Sequence, residues 1–365
     1  MRSIITAIGT AVPENKIPQS QIFEFMARAH DFEGKDKIRL QALYRATGIK
    51  TRHSVISDYG QLDKTKWSFY PQTADLRPFP STQTRSEIYK ANAAKLSAQA
   101  VANCFAKTEI GLSEITHLIT ISCTGMYAPG LDIDLINMLD LNPQIQRTCI
   151  NFMGCYAAIT GIRTADAFCK ADPNAKVLIV ATELCTIHFQ NKPDEDNLLA
   201  NAIFSDGSAA FLMTAFNENS SQKGLSPLAF HTEILNDGGE NMAWNIGDFG
   251  FEMKLSSYVP SLVESGIKSL TDTLKNKLRE ASITQYAIHP GGKRILEVIE
   301  SELKLSKEDN RFAYEVLKEY GNMSSATLLF VLEKIMASGQ SKNEQCLSVA
   351  FGPGLTLESM VLESV

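Results

Sequence analysis

Three side chains of this 365-residue chain have the right types to share one piece of chemistry. They are the sulfur of Cys155, the imidazole of His289 and the carboxamide of Asn322. Cys155 stands straight after Gly154 in "NFMGCYAAITGIRTADAF", where an apolar run gives way to helical spacing. A free cysteine there is either core filler or a thiol at a helix N-terminus, whose macrodipole favours the thiolate. The thiolate reading is the expectation carried forward. His289 ends the strand-like run "QYAIHPGG", and the turn Pro290–Gly291–Gly292 holds its imidazole on a fixed strand end. From there it can pair with a thiolate or donate to a developing oxyanion. Asn322, in "YGNMSSATLLF", reads by itself as a helix N-cap. Beside a cysteine and a histidine it becomes the uncharged donor that oxyanion stabilisation requires. Cys123, in "ISCTGMYAPG", is the rival nucleophile, ranked second because a strand end supplies no helix dipole.

Positioning these groups is the work of a layered α/β fold, because apolar runs of strand length alternate with segments of helical period. "ANAAKLSAQAVANCFAKTEI" reads as a helix and "ITHLITISCTG" as a buried strand; "CINFMGC" leads to the helix from Cys155, and "AKVLIVATEL" follows as a strand. The second half repeats that order: a helix over 263–281, the strand before His289, a helix after Gly321, and the strand "QCLSVAFGPG". One offset of 167 residues carries Cys155 onto Asn322 and Ser122 onto His289. A duplicated core with a pseudo-two-fold axis is therefore expected, split into halves 1–220 and 221–365. Functional groups of α/β sheets collect at strand C-termini and helix N-termini, so the three side chains should meet in one pocket. Residues 190–197 and 235–250 read as loop or hairpin insertions at its rim. Residues 204–212 read as a strand-to-strand turn with Phe204 as an apolar wall. Residues 351–359 read as a turn whose Gly352, Pro353 and Gly354 backbone lines a cavity, without the spacing or lysine of a phosphate loop.

Composition narrows the function classes. The length suits two domains or one large duplicated one. A 44% apolar and 21% charged chain of net charge −6 is poorly suited to nucleic acid or an acidic membrane surface. No apolar segment nears the roughly 20 residues that span a bilayer. The N-terminal apolar run is too short for a signal-peptide core, so the cytoplasm is expected. Seven cysteines without a C-x-x-C pair suit reduced thiols. The histidines show no ligand spacing, so neither a metal nor another cofactor is expected.

A cysteine followed by a histidine 134 residues on and an asparagine 33 further fits two enzyme classes. Papain-like proteases run in that order, but their cysteine lies near the mature N-terminus in C-G-[SA]-C-[WY], unlike mid-chain "MGCYA". The stretches "GCYAAITGIRTA", "FSDGSAAFL", "IHPGGKRIL", "YGNMSSATLLFVLE" and "AFGPGLTLESMVL" together resemble the type III polyketide synthases, the chalcone-synthase-like family of the thiolase superfamily. The resemblance runs along nearly the whole chain. It implies a five-layer αβαβα thiolase-like fold, a homodimer, and iterative decarboxylative condensation of an acyl-CoA starter with malonyl-CoA. Cys155 would take the acyl group, while His289 and Asn322 would bind the malonyl thioester carbonyl and its enolate. Phe204 falls at a gatekeeper position, and Met253 replaces the second gatekeeper phenylalanine. Cys185 and His188 stand where plant members carry small hydroxylated cavity residues. Ala128 replaces a methionine that reaches the partner's cavity. Arg39, Arg45, Lys50 and Arg52 are candidates for the CoA phosphates, and an acyl-carrier protein is an alternative starter donor. The rivals are a single-round condenser like ketoacyl-ACP synthase III and a catalytically silent scaffold of the same fold.

Overall fold

Residues with apolar side chains on both faces drive the long strand β1 (Arg2–Ala11) into the middle of the structure, where seven of its ten residues are buried. In this computed structural model the described residues are 2–73, 75–216, 222–235, 242–255, 261, 263–267, 269–270, 273 and 283–365. The short strand β2 (Asn15–Pro18) pairs with β3 (Thr51–Ser54) apart from the main sheet. The first half-sheet runs in the order β5 (Gln146–Asn151), β4 (His117–Ser122), β6 (Lys176–Leu184), β7 (Asp206–Phe216), β1. The second runs β8 (Leu225–Ile234), β13 (Thr356–Ser364), β12 (Gln345–Gly352), β11 (Ile283–Ile288). They join only where Ile5 of β1 meets Leu225 of β8. Between β8 and β11 the chain forms the separate hairpin β9 (Met242–Gly247) and β10 (Gly250–Leu255).

The halves have matching polarity. β4 is parallel to β6, which is antiparallel to β7; β11 is parallel to β12, which is antiparallel to β13. Parallel strands are covered on both faces and so read as continuous apolar runs. All six residues of β4 are buried accordingly.

Two helices fill the layer between the half-sheets: α5 (Ala157–Ala171) and, numbered after the helices that precede it, α9 (Thr327–Ala337). The intervening helices are α6 (Glu195–Ile203), α7 (Lys293–Leu303) and α8 (Arg311–Tyr320). Before them come α1 (Gln19–Ala29), α2 (Gly34–Ala46), α3 (Thr82–Phe105) and α4 (Leu131–Leu139). A helix that is apolar on nearly every side belongs in a core, and α9, "TLLFVLEKIMA", is buried from Thr327 through Leu332. On α5, Gly161 lets the helix sit close on β4, since a Cβ there would lie 2.6 Å from Ile121 Cδ1. The helix α3 covers the outer face of the first half-sheet. The helix expected over 263–281 is described only in part. Its Val263, Ile267 and Leu270 are buried at helical spacing, and Gly266 lies against Leu357 of β13. Five layers, αβαβα, result.

The single offset of 167 is corrected by the element positions. The strands ending at Ser122 and Ile288 are 166 residues apart, and the helices starting at Ala157 and Thr327 are 170 apart. The two nucleating turns therefore align Cys155 with Ser325, not with Asn322. Short insertions between elements shift the register without altering the topology. Residues 204–212 also differ from expectation. Phe204 follows α6, so this is a helix-to-strand joint into β7. The rim insertion expected over 235–250 is in part the β9–β10 hairpin, and 236–241 lie outside the described residues.

Candidate active site

The approach to Cys155 is a strand, a sharp reversal and a helix. After β5 the backbone turns at Phe152 (φ 59°) and Gly154 (φ 76°). A Cβ at Gly154 would lie 2.3 Å from Pro353 Cδ, so glycine is required both for the backbone angle and for the contact. Cys155 then sits in a 3-10 turn, Gly154–Tyr156, that leads into α5.

Asn322 follows Gly321 (φ 73°) and is held on every side. Its N–H donates to Ile203 O (2.9 Å) and its C=O accepts from Ser205 N (2.8 Å). Its side-chain Oδ1 accepts from Ser324 N (2.8 Å), which orients the amide, and Nδ2 donates to Gly291 O (3.1 Å). The Cys155 thiol lies 4.0 Å from Asn322 Oδ1 and 3.7 Å from Ser324 Oγ. Cys155 and Asn322 are thus brought together directly.

His289 is linked to Asn322 through backbone alone, since Gly291 N donates to His289 O (2.9 Å) and Gly291 O accepts from Asn322 Nδ2 (3.1 Å). Unlike Cys155 and Asn322, it is not among the described residues that line the cavity. The His289 N–H donates to Val349 O (2.8 Å), tying it to β12, and its ring meets Phe351 edge to face at 5.8 Å. Neither ring nitrogen has a partner among the described residues. Burial lowers its pKa to about 3, so the imidazole is neutral.

Burial works against the expected thiolate. It pushes the Cys155 thiol up to about 12. Contacts with Ser324 and Asn322 offset this only in part, and the Glu183 carboxylate adds to it. Burial of all but 7% of the residue outweighs a helix dipole that acts from one turn further on. Cys123 lies in the same wall, 3.2 Å from Ser324 Oγ and 3.3 Å from Glu183 Oε1, and is held protonated by burial and that carboxylate. Glu183 escaped the sequence reading. It is a buried carboxylate that accepts from Cys123 N (3.0 Å), Thr124 Oγ1 (2.7 Å) and Ser325 Oγ. An acidic residue near the end of the apolar run "VLIVATEL" was its one signal.

Cys155 and Asn322 open onto a cavity of about 400 Å³. Phe204, Met253, Cys185 and His188 line it, as do Gly352 and Pro353; Gly354 is not part of its wall. His188 is fixed as a neutral ring. Its Nε2 faces Thr124 O (2.7 Å), its Nδ1 accepts from Phe251 N (3.0 Å), and it stacks on Phe251 at 4.2 Å. The β9–β10 hairpin is thereby pinned over the cavity, with Trp244 Nε1 donating to Cys123 O (2.6 Å). Ala128 lies elsewhere, in a separate 250 Å³ pocket with Tyr127 and Cys149.

The four cations expected at the CoA phosphates have different surroundings. Arg39 is exposed and pairs with Asp36 at 3.5 Å. Arg45 and Lys50 are exposed but do not line the cavity. Arg52 does line it, yet is only 3% exposed and turns Nε to Gln19 and Nη1 to the backbone at Asn201 and Phe204, with Nη2 buried and unpartnered among the described residues. The cations in the cavity wall that sequence reasoning missed are Lys293 and Arg294, at the start of α7. They directly follow the "HPGG" turn, where attention had rested on the histidine. Among the described residues no group of three or more His, Cys, Asp or Glu is placed to hold a metal ion, and no helix is long and apolar enough to cross a membrane.

Comparison with known proteins agrees along the chain. Residues 2–216 match the profile described as chalcone and stilbene synthases, N-terminal domain, and residues 228–365 match the corresponding C-terminal domain. The chain is 28% identical over its whole length to type III polyketide synthase A of Arabidopsis thaliana, covering 93% of that protein. It is 29% identical to probable polyketide synthase 1 of Dictyostelium discoideum, but spans only 11% of that much longer protein. Among solved structures, the C-terminal type III polyketide synthase domain of the Dictyostelium hybrid Steely1 superposes with a TM-score of 0.92 at 28% identity, each chain covered fully. PKS-I of the brown alga Ectocarpus siliculosus also gives 0.92, at 27% identity, with all of this chain and 98% of that one covered.

Proposed function

Since the chain belongs to the chalcone and stilbene synthase family, as a type III polyketide synthase, we propose that it loads an acyl group from acyl-CoA onto Cys155 and extends it with malonyl-CoA. The observation that carries this reading is the 4.0 Å approach of the Cys155 sulfur to the Asn322 amide on the wall of one cavity, from turns far apart in sequence.

In the resting site Cys155 is a thiol and His289 a neutral imidazole. As a thioester arrives, the thiol proton passes to the imidazole, the thiolate attacks the acyl carbonyl, and the imidazolium returns that proton to the departing CoA sulfur, which leaves as the thiol. Malonyl-CoA then enters with its thioester oxygen towards His289 and Asn322. Nδ2 commits one proton to Gly291 O and keeps the other for that oxygen. Loss of CO₂ turns the carbonyl into an enolate, and donors that strengthen as negative charge develops accelerate this step. The enolate carbon attacks the acyl-cysteine, releasing the Cys155 thiolate for reloading. No resident cofactor enters any step.

Phe204 and Met253 would guard passage into the cavity. Of the cations on the cavity wall, half-buried Lys293 and exposed Arg294 are better placed than buried Arg52 to meet CoA phosphates. The chain would act as a homodimer through the free edge of β5, the terminal strand of the sheet.

The test incubates purified protein with malonyl-CoA and a panel of acyl-CoAs, with an acylated carrier protein as a second donor arm, and identifies products by mass. Pyrones or resorcinols are expected; a lone single-round β-ketoacyl product would overturn iterative extension. Cys155→Ala should form no acyl-enzyme by intact mass, and acylation persisting at Cys123 would move the nucleophile there. Asn322→Ala should slow malonyl-CoA decarboxylation by about 10²-fold or more.

A further inference from the structure

We propose that Arg52 is a positioning residue for Asn322, acting through the backbone of residues 203–205; this rests on the reading above that Asn322 serves the decarboxylation step. The last carbonyls of a helix lack partners within it, and a cation there also meets the negative end of the dipole. At the end of α6 that role is filled from β3. Arg52 Nη1 donates to Asn201 O (2.8 Å) and Phe204 O (2.6 Å), and Nε donates to Gln19 Oε1 (2.8 Å). Gln19 Nε2 in turn donates to Ala202 O (2.7 Å), so one arginine and one glutamine hold three of the four carbonyls of residues 201–204 at the helix end.

The held segment is the one that grips Asn322. Ile203 O accepts the Asn322 N–H, Ser205 N–H donates to Asn322 O, and Phe204 and Asn322 form an isolated parallel bridge. Ser205 Oγ also bonds the backbone of His53, next to Arg52, at 3.0 Å in both directions. The Arg52 stem touches the other flank of Asn322: a Cβ on Gly321 would lie 3.1 Å from Arg52 Cγ. Head and stem of one side chain thus fix both approaches to the Asn322 backbone, and the same head fixes the Phe204 carbonyl at the cavity wall. A cation meant for a CoA phosphate would present its charge to the entrance, whereas this one is 3% exposed, with Nε and Nη1 turned to carbonyl oxygens and Nη2 buried without a partner among the described residues.

The test measures two half-reactions in Arg52→Met and Arg52→Lys. Malonyl-CoA decarboxylation is followed by acetyl-CoA formation, and Cys155 loading by intact mass. Arg52→Met should lower kcat of decarboxylation by about tenfold or more, since small misplacements of a catalytic group are costly. KM should stay within about twofold, and loading should be unchanged. Arg52→Lys should recover part of the loss. In an Asn322→Ala background, Arg52→Met should cost less than about twofold further, because residues acting as one unit are not additive. Gln19→Met, a smaller disturbance, should reproduce the pattern more weakly if Arg52→Met does not fold. A raised KM with kcat intact would instead make Arg52 a phosphate ligand, and equal losses in loading and decarboxylation would make it merely structural; either overturns the proposal. An active wild type with a fully active Arg52→Met overturns this inference alone, whereas a wild type that cannot decarboxylate malonyl-CoA overturns the reading of the reaction as well.

Discussion

At the scale of single residues, desolvation governs the site. Cys155, His289 and His188 are each taken out of water and each kept uncharged by it. For His188 one hydrogen bond reinforces the effect, because Nδ1 accepts from Phe251 N and cannot do so once protonated, while the bond to Thr124 O opposes it in part. Its pKa is lowered from 6.5 to about 3 by burial. A histidine depressed in the folded state supports stability above its unfolded pKa and withdraws that support as pH falls towards the folded value. Between pH 7 and pH 5 this one residue should cost the fold about 2 kcal/mol. His188→Gln should therefore narrow the difference in unfolding free energy between those two pH values by about that amount, as read from denaturant titrations. An unchanged difference would mean that the ring is charged or solvated in the fold.

At the scale of elements, the turn before α5 does the positioning, and its glycine is not equivalent to the one inside that helix. Gly154 is left-handed and its missing Cβ faces the rigid ring of Pro353, whereas Gly161 on α5 faces only the end of Ile121. Gly154→Ala should cost about 2 kcal/mol or more and abolish Cys155 loading, because it must move either Pro353 or the nucleophile's turn. Gly161→Ala should cost about 1 kcal/mol and leave loading intact, since a terminal methyl can rotate away. Thermal melts and intact-mass loading assays separate the two; equal behaviour would remove the special place given to the Gly154 turn.

At the scale of the whole molecule, the duplicated half-sheets make a cavity between them and leave a strand edge outside. β5 ends the sheet with Cys149 exposed, and Met126 nearby is 47% exposed. Both residues line the second pocket. Such an edge invites pairing with a second copy. Light scattering should give about twice the chain mass of 40.2 kDa, and Met126→Arg with Cys149→Arg should return it to one chain mass. A wild type of single mass would dismiss the β5 interface.

Much of this architecture was legible in the sequence. The alternation of apolar and helical segments, the repeated order of elements and the three chemical side chains are local patterns, set by side-chain hydrophobicity and by the backbone freedom of glycine and proline. The nucleophile's turn could be read because Gly154 and Cys155 are adjacent in the chain. Charge states and long-range partners could not. Whether Cys155 is a thiol or a thiolate depends on how completely β12, α5 and the turn before α9 exclude water. Whether Arg52 meets solvent or the end of α6 depends on where β3 comes to rest. Glu183 and Lys293 gained their surroundings the same way, through neighbours distant in sequence. Pattern along the chain determines which elements form, because that is decided by nearby residues; solvation and contact at the site are properties of the packed whole, and only the tertiary structure decides them.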